Sequence, residues 1–163
     1  MPISYVEDIT AEFYRLKGYF ILKDFAYQVP KEITGKKVKG WKDIDVLALS
    51  ESEVLIIECK AFTGYKKSDE MIKMLMEDFQ YAESEIKKLP LVKNKRLRKV
   101  LVVDYSVKKV EKELQSKGIE IFLLENLMKD FIVTLKERIK SGCKEEHPMT
   151  RTLVFLIQRG FIT

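Results

Sequence analysis

Two apolar segments separated by only three polar residues constrain this chain more than any other feature. Residues 42–49 (KDIDVLAL) and 53–60 (EVLIIECK) have the length and apolar content of strands, and the polar residues 50–52 between them predict a turn. We therefore expect an antiparallel hairpin. The second segment is almost continuously apolar until Glu58-Cys59-Lys60, which is typical of a strand buried on both faces.

Helix and strand patterns surround this hairpin. A helix is predicted over residues 4–17, with Ser4 and Glu7 as a capping box, and a strand over 19–29 with a bulge near Lys23-Asp24. The later predicted elements are a helix over 68–88, a strand over 99–105, a helix over 107–117, a strand over 119–124 and helices over 126–140 and 148–159. This order predicts an α/β fold with a mixed central β-sheet, flanking helices and extra C-terminal helices.

Length and composition favour one soluble domain. With 163 residues, 46% of them hydrophobic, the chain can form a single core. We expect one domain over residues 1–163, with a core over 1–125 and a C-terminal helical extension over 126–163. No signal peptide or membrane-spanning run is visible, so a cytoplasmic protein without a membrane partner is expected. His147 is the only histidine, which argues against zinc hydrolases and Ser-His-Asp enzymes.

The charged residues of the hairpin favour metal-dependent chemistry. Residues i and i+2 share a face of a strand, so Asp43 and Asp45 point one way, and Glu58 and Lys60 share a face of the next strand. If Asp45 lies beside Glu58, two carboxylates converge, which suits Mg²⁺ or Mn²⁺. Lys60 would stabilise a phosphate oxygen or help to orient and deprotonate a water. The alternative is that both aspartates face solvent and that Glu58 and Lys60 form an ordinary ion pair.

The run from Gly40 to Ala48, the turn, and the run from Val54 to Lys60 resemble the core of the PD-(D/E)XK nuclease superfamily. The chain is especially similar to archaeal Holliday junction resolvases and Mrr-like restriction enzymes, over residues 1–105. The resemblance implies a restriction endonuclease-like three-layer core and a metal-dependent endonuclease that hydrolyses phosphodiester bonds in DNA, with RNA left open. Ile44 departs from the proline of the superfamily's name, as it does in many members.

The resemblance also implies a role for each residue of the motif. Asp45 and Glu58 would hold Mg²⁺ or Mn²⁺ together with the backbone carbonyl of Cys59, and Lys60 would be the catalytic lysine. A further glutamate is expected on the first helix, and Glu7 is the candidate.

Other positions stay open at this point. Glu12 is the alternative to Glu7 on the first helix, and Glu7 alternatively serves only the capping box. Three alternatives are open for Asp43: a ligand of a second metal ion, a group that contacts the metal ligands from outside, or a residue without a role in the site. Gln80, on the helix after the motif, either reaches towards the site or lies on the surface.

Two basic segments, residues 31–39 and 93–99, flank the motif in chain order and predict contacts with phosphates. Trp41 either stacks on a base or packs in the core or at its rim. The candidate nucleic-acid contacts are Lys36, Lys37, Lys39, Trp41, Lys95, Arg96 and Arg98. Plain solvated surface is the alternative for the lysines.

Two other classes of function compete with the nuclease. The chain would be a catalytically inactive nuclease-fold module that binds nucleic acid, or a subunit whose C-terminal helices serve assembly. The apolar residues between Leu153 and Phe161 either pack on the core or form a homodimer interface.

Overall fold

In the part of the chain that this computed structural model describes, residues 5–29, 40–63 and 66–162, five strands form one sheet in the order β1-β2-β3-β4-β5. The strands are β1 (Phe20–Val29), β2 (Gly40–Leu49), β3 (Glu53–Phe62), β4 (Arg96–Tyr105) and β5 (Ile119–Leu123). The β1–β2 and β2–β3 pairs are antiparallel, whereas β3–β4 and β4–β5 are parallel. The predicted mixed sheet is confirmed.

Helices complete the α/β architecture. They are α1 (Tyr5–Leu16), α2 (Ser68–Ile86), α3 (Lys108–Ser116), α4 (Leu124–Lys140) and α5 (Pro148–Gln158), with a short 3-10 turn at Pro90–Val92. Gly18 and Gly118 follow α1 and α3 with positive φ angles of 89° and 79°, which glycine adopts without a steric penalty. The predicted fold class, with helices flanking the sheet and further helices at the C-terminal end, is confirmed.

The hairpin turn has a local cause. The Ser50 side-chain oxygen accepts hydrogen bonds from the backbone amides of Ser52 (3.3 Å) and Glu53 (3.1 Å). A serine that bonds the backbone two and three residues further on stabilises a turn in place of a continued strand. The three polar residues therefore fix where β2 ends and β3 begins.

The core follows from the apolar run of β3. The four residues from Val54 to Ile57 are fully buried, as expected for a strand covered on both faces. Helix α1 lies against β1 to β4, and α2 lies against β1 and β3. Met71, Leu75 and Phe79 of α2 belong to the core cluster.

The sequence predicted a bulge near Lys23-Asp24 of β1, and the structure has an irregularity there of a different type. Asp24 has a positive φ of 51°, an unusual conformation that aspartate tolerates better than most residues. The pairs on either side, Lys23 with Val46 and Phe25 with Ile44, keep one register, so no residue is inserted. The irregularity is a local distortion and not a bulge.

The basic run 93–99 is also placed differently from the prediction. Strand β4 begins at Arg96 and not at Lys99, so Arg96, Arg98 and Lys99 are strand residues. Periodicity missed them because charged residues at the start of a strand carry no apolar signal.

The chain divides into two compact units, Met1–Leu124 and Glu125–Thr163. The second contains most of α4 and all of α5, an ion pair between Arg138 and Glu145, and the exposed side chains of Phe155 and Phe161. A single domain over residues 1–163 and a homodimer through the C-terminal helices stay predictions. Among the described residues, no helix has the length and apolarity needed to cross a membrane.

Phe79→Ala should lower the free energy of unfolding by about 3–5 kcal/mol, because it leaves a cavity in the core. Phe79 is 1% exposed, whereas Phe20 is 66% exposed. Phe20→Ala is therefore the matched control and should change stability by about 0.5 kcal/mol or less. Urea denaturation of the two variants measures the difference, and equal losses would contradict this packing.

Candidate active site

A fork in the sheet forms the candidate site. The β2–β3 ladder runs from Leu49 paired with Val54 to Val46 paired with Ile57, and stops there. Beyond that point β2 stays paired with β1 as far as Gly40, and β3 stays paired with β4 as far as Phe62. The two strands therefore part where Asp45 and Glu58 would be the next pair.

The Asp45 carboxylate closes the base of this fork. Its Oδ2 accepts a hydrogen bond from the backbone amide of Cys59 (2.7 Å) and another from Lys60 Nζ (3.3 Å). A strand amide that loses its ladder partner needs another acceptor, because an unpaired buried N–H is costly. Asp45 thus has a structural role and also presents a carboxylate to the site.

Glu58 and Lys60 form the other half of the site. Glu58 is 4% exposed, and its Oε2 accepts a hydrogen bond from Lys60 Nζ at 3.1 Å. Burial, and then the charge of Asp45, raise the pKa of Glu58 to about 8. Burial opposes the charged form of Lys60, but Glu58 and Asp45 outweigh it and raise the pKa of Lys60. One ammonium group therefore lies between two carboxylates.

The donor set of the fork fits a hard divalent cation. Asp45 Oδ1 and Glu58 Oε1 accept no hydrogen bond from the described residues, so one oxygen of each carboxylate is available. No group of three or more His, Cys, Asp or Glu side chains within residues 5–29, 40–63 and 66–162 is arranged to hold a metal. Mg²⁺ does not require such a cage, since it commonly binds through one or two carboxylates and keeps several waters.

The two glutamates proposed on α1 have different surroundings, and a role in the site stays a prediction for each. Burial, then the charge of Asp45, then that of Glu7 raise the pKa of the Cys59 thiol, so Glu7 and Asp45 act on the same residue. Glu12 instead accepts a hydrogen bond from Arg15 Nε at 2.9 Å, and the same carboxylate oxygen forms an ion pair with Arg15 Nη2 at 2.8 Å. Ser4, the other half of the predicted capping box, lies outside the described residues.

Asp43 and Gln80 lie on the two elements beside the fork. Asp43 is exposed on the part of β2 that pairs with β1, opposite Ala26. Gln80 is exposed on α2. No described contact joins either of them to Asp45 or Glu58, and their roles stay predictions.

Sequence reasoning missed a clamp between β2 and α2. Lys42 forms an ion pair with Asp78, and its Nζ lies 5.5 Å from the ring centroid of Tyr81. The charge of Asp78 also contributes to the raised pKa of Glu58. An available signal was Asp78 itself, a carboxylate directly before the core residue Phe79.

The described basic candidates lie at the start of β4 or directly before it, and Arg96 is the example. Arg96 pairs with Glu53 at the start of β3, whereas Val103 pairs with Lys60. Seven residues of strand separate these levels of the sheet, or about 23 Å.

These side chains already have partners within the protein. Lys95 Nζ donates to the carbonyls of Ser50 and Glu51, both at 2.6 Å. Arg98 donates to Glu53 (3.1 Å) and Glu120 (2.6 Å). The structure does not bring them to the site, and nucleic-acid contacts through them stay a prediction.

The remaining nucleic-acid candidates divide between two parts of the chain. Lys36, Lys37 and Lys39 lie outside the described residues. Trp41 is 67% exposed on β2, so a core position for it is wrong.

Comparison with known proteins gives one family match. A family model described as NERD, nuclease-related domain, matches residues 4–124. Among solved structures, the chain is similar to a crystal structure of a protein of unknown function, AF1548, at 16% identity and a TM-score of 0.49. That alignment covers 76% of this chain and 64% of the other, so this chain spans less than two thirds of its length. No curated protein matches the chain.

Asp45→Ala should be less stable than Asp45→Asn by about 1–3 kcal/mol, because only asparagine keeps an oxygen that accepts the Cys59 amide. Both substitutions remove the same charge, so their difference reports on the hydrogen bonds that the Asp45 oxygen accepts, chiefly the one from the Cys59 amide at 2.7 Å. Urea denaturation without added metal is the measurement. If the two variants were equally stable, the carboxylate would not support the base of the fork.

Proposed function

Because this chain belongs to the nuclease-related domain (NERD) family, we propose that it is a metal-dependent endonuclease that hydrolyses phosphodiester bonds in DNA. The family lies in the PD-(D/E)XK-like nuclease superfamily, so the resemblance seen in the sequence is confirmed at that level. Cleavage, metal dependence and DNA as the substrate are the parts that we propose.

The observation that carries the proposal is the convergence of Asp45, Glu58 and Lys60 at the base of the fork. Lys60 Nζ lies 3.3 Å from Asp45 Oδ2 and 3.1 Å from Glu58 Oε2. Burying two carboxylates and an ammonium is expensive, and a protein whose only need is stability gains little from it. Perturbed charged groups of this kind cluster at functional sites.

We infer that Asp45 and Glu58 hold Mg²⁺ or Mn²⁺, with Glu7 and the Cys59 carbonyl as further candidate ligands. When bound, the ion supplies Lewis-acid polarisation of the phosphoryl group and lowers the pKa of a bound water. The carboxylates also hold the Lys60 ammonium in place through hydrogen bonds. That ammonium can bind a phosphate oxygen and offset the negative charge that develops during in-line attack by water.

The alternative is an inactive nuclease-fold protein that binds nucleic acid or serves assembly. A cleavage panel separates the possibilities. Labelled duplex, single strand, four-way junction, flap and RNA are incubated with Mg²⁺, Mn²⁺ or EDTA. Cutting that EDTA abolishes supports the nuclease, whereas retained binding without cutting of any substrate favours the inactive alternative.

Lys60→Ala should reduce the cleavage rate by about a hundredfold or more, since it removes a charge that acts on the transition state. Lys73→Ala is the matched control, because the Lys73 side chain is 78% exposed on α2 and should cut normally. Rates are measured under single-turnover conditions, and circular dichroism verifies folding. Cleavage by Lys60→Ala at the wild-type rate would contradict the assignment of Lys60 as the catalytic lysine.

Mg²⁺ should raise the melting temperature of the wild-type protein and have little effect on Glu58→Gln, which keeps the side-chain shape but removes a ligand charge. At a hundred times its Kd, a ligand stabilises the folded state by about 2.7 kcal/mol. Glu125→Gln is the control, because its side chain is 74% exposed. Differential scanning fluorimetry measures the shifts, and an equal shift for Glu58→Gln would exclude this residue as a ligand.

A further inference from the structure

Each arm of the fork carries a lysine that faces α2. Lys60 lies on β3, and its partner in β4, Val103, belongs to the core cluster that includes α2, so Lys60 is on that face of the sheet. Lys42 lies on β2 and contacts α2 directly, through Asp78 and Tyr81. Two ammonium groups therefore face the same side of the sheet, one from each of the separated strands.

The two lysines also lie at similar levels of the fork. Lys42 is three residues from Asp45 in the direction in which the fork opens, or about 10 Å along β2. Lys60 is two residues from Glu58 in the same direction, or about 7 Å along β3. The lysines therefore border one opening from its two sides, and a nucleotide chain that crosses the opening passes both.

Lys42 occupies a strand position that a core would ordinarily fill with an apolar side chain. Its partner in β1 is the buried Tyr27, and the buried Ile44 lies two residues further along β2 on the same face. A charge at the edge of a core needs a partner, which Asp78 provides. Such an ion pair adds little stability compared with apolar side chains of similar volume, so stability alone does not account for the lysine.

The ammonium group of Lys42 keeps donors for a ligand. It has three N–H groups, and among the described residues Asp78 accepts one hydrogen bond from it. The Tyr81 ring, with its centroid 5.5 Å from Nζ, adds a cation–π contact. Because 35% of the Lys42 side chain is exposed, Asp78 and Tyr81 hold the ammonium in place while it stays accessible from solvent.

We infer that Lys42 binds a backbone phosphate next to the one that Lys60 binds, and that Asp78 and Tyr81 are positioning residues for Lys42. The inference rests on the proposed function, since it names a further substrate contact of the same fork. A phosphate oxygen would accept a charge-assisted hydrogen bond from the ammonium, while Asp78 keeps its own. Contacts to two phosphates from opposite sides of the fork would fix the position of the DNA backbone relative to the reacting groups.

Replacing each partner in turn separates a phosphate contact from a purely structural ion pair. Lys42→Met removes the ammonium and keeps a long side chain, whereas Asp78→Asn removes the ion pair and leaves the ammonium. Lys42→Met should bind DNA about five- to tenfold more weakly at about 0.1 M salt, because one fewer counterion is released. Asp78→Asn should bind at least as tightly as the wild type, because it loses a negative charge near the phosphate.

Binding is measured by anisotropy of a labelled DNA duplex of about two helical turns and of one of its single strands. Ca²⁺, a hard cation that takes the same oxygen ligands, replaces Mg²⁺. Between about 50 and 200 mM salt, Lys42→Met should lower the slope of log affinity against log salt by about 0.7–0.9. Lys42→Arg, which keeps the charge, should retain most of the affinity and the slope.

Lys73→Met is the matched control, because it removes an exposed lysine of α2 and should bind like the wild type. Urea denaturation verifies that each variant is folded. Equal weakening by Lys42→Met and Asp78→Asn would mean that the ion pair serves only the fold, and it would overturn the inference.

The remaining outcomes separate this inference from the proposed function. Wild-type affinity and slope in Lys42→Met, with cleavage that still requires Lys60, would overturn the phosphate contact and leave the nuclease standing. Binding that depends on Lys42, without cleavage of any substrate, would leave the contact standing and reject the nuclease. Absence of binding to both the duplex and the single strand would overturn the contact.

Discussion

The hydrogen bond from the Cys59 amide to the Asp45 carboxylate, 2.7 Å long, is the interaction on which the fork depends. A sheet can open between two strands only if the amides and carbonyls that lose their partners find others. Asp45 provides that partner at the residue where the β2–β3 ladder stops. The same Oδ2 also accepts a hydrogen bond from Lys60. Asp45 therefore both allows β2 and β3 to separate and places a charged group where they separate.

The elements beside the fork also shape it. On one side, β2 continues along β1, and Asp24, which lies opposite Asp45, has a positive φ of 51°. On the other side, the ion pair between Lys42 and Asp78 joins the separated part of β2 to α2. The distortion in β1 and the end of the β2–β3 ladder therefore occur at the same level of the sheet, and α2 anchors the strand beyond it.

Strand and helix order could be predicted because apolar periodicity reports which faces are buried, and the register of the hairpin follows from its short turn. Asp45, Glu58 and Lys60 could therefore be expected to meet. The fork could not be predicted, because the alternation of apolar and polar residues within a strand does not indicate where its hydrogen bonding to the next strand stops. The distance of Lys95 and Arg98 from Lys60 could not be predicted from the chain order alone: β3 and β4 are parallel, so the start of β4 lies beside the start of β3 and away from Lys60.

Charge determines what the fork needs in order to act on a phosphodiester. With Glu58 ionised, the two carboxylates of Asp45 and Glu58 carry more negative charge than the Lys60 ammonium offsets. Two like charges 4 Å apart repel by roughly 4 kcal/mol at an effective dielectric constant of 20, so a phosphate entering this group of carboxylates meets net repulsion. A divalent cation bound between the carboxylates would turn this repulsion of the phosphate into attraction. For the proposed reaction, the same carboxylates that would repel the substrate become the means of attracting it.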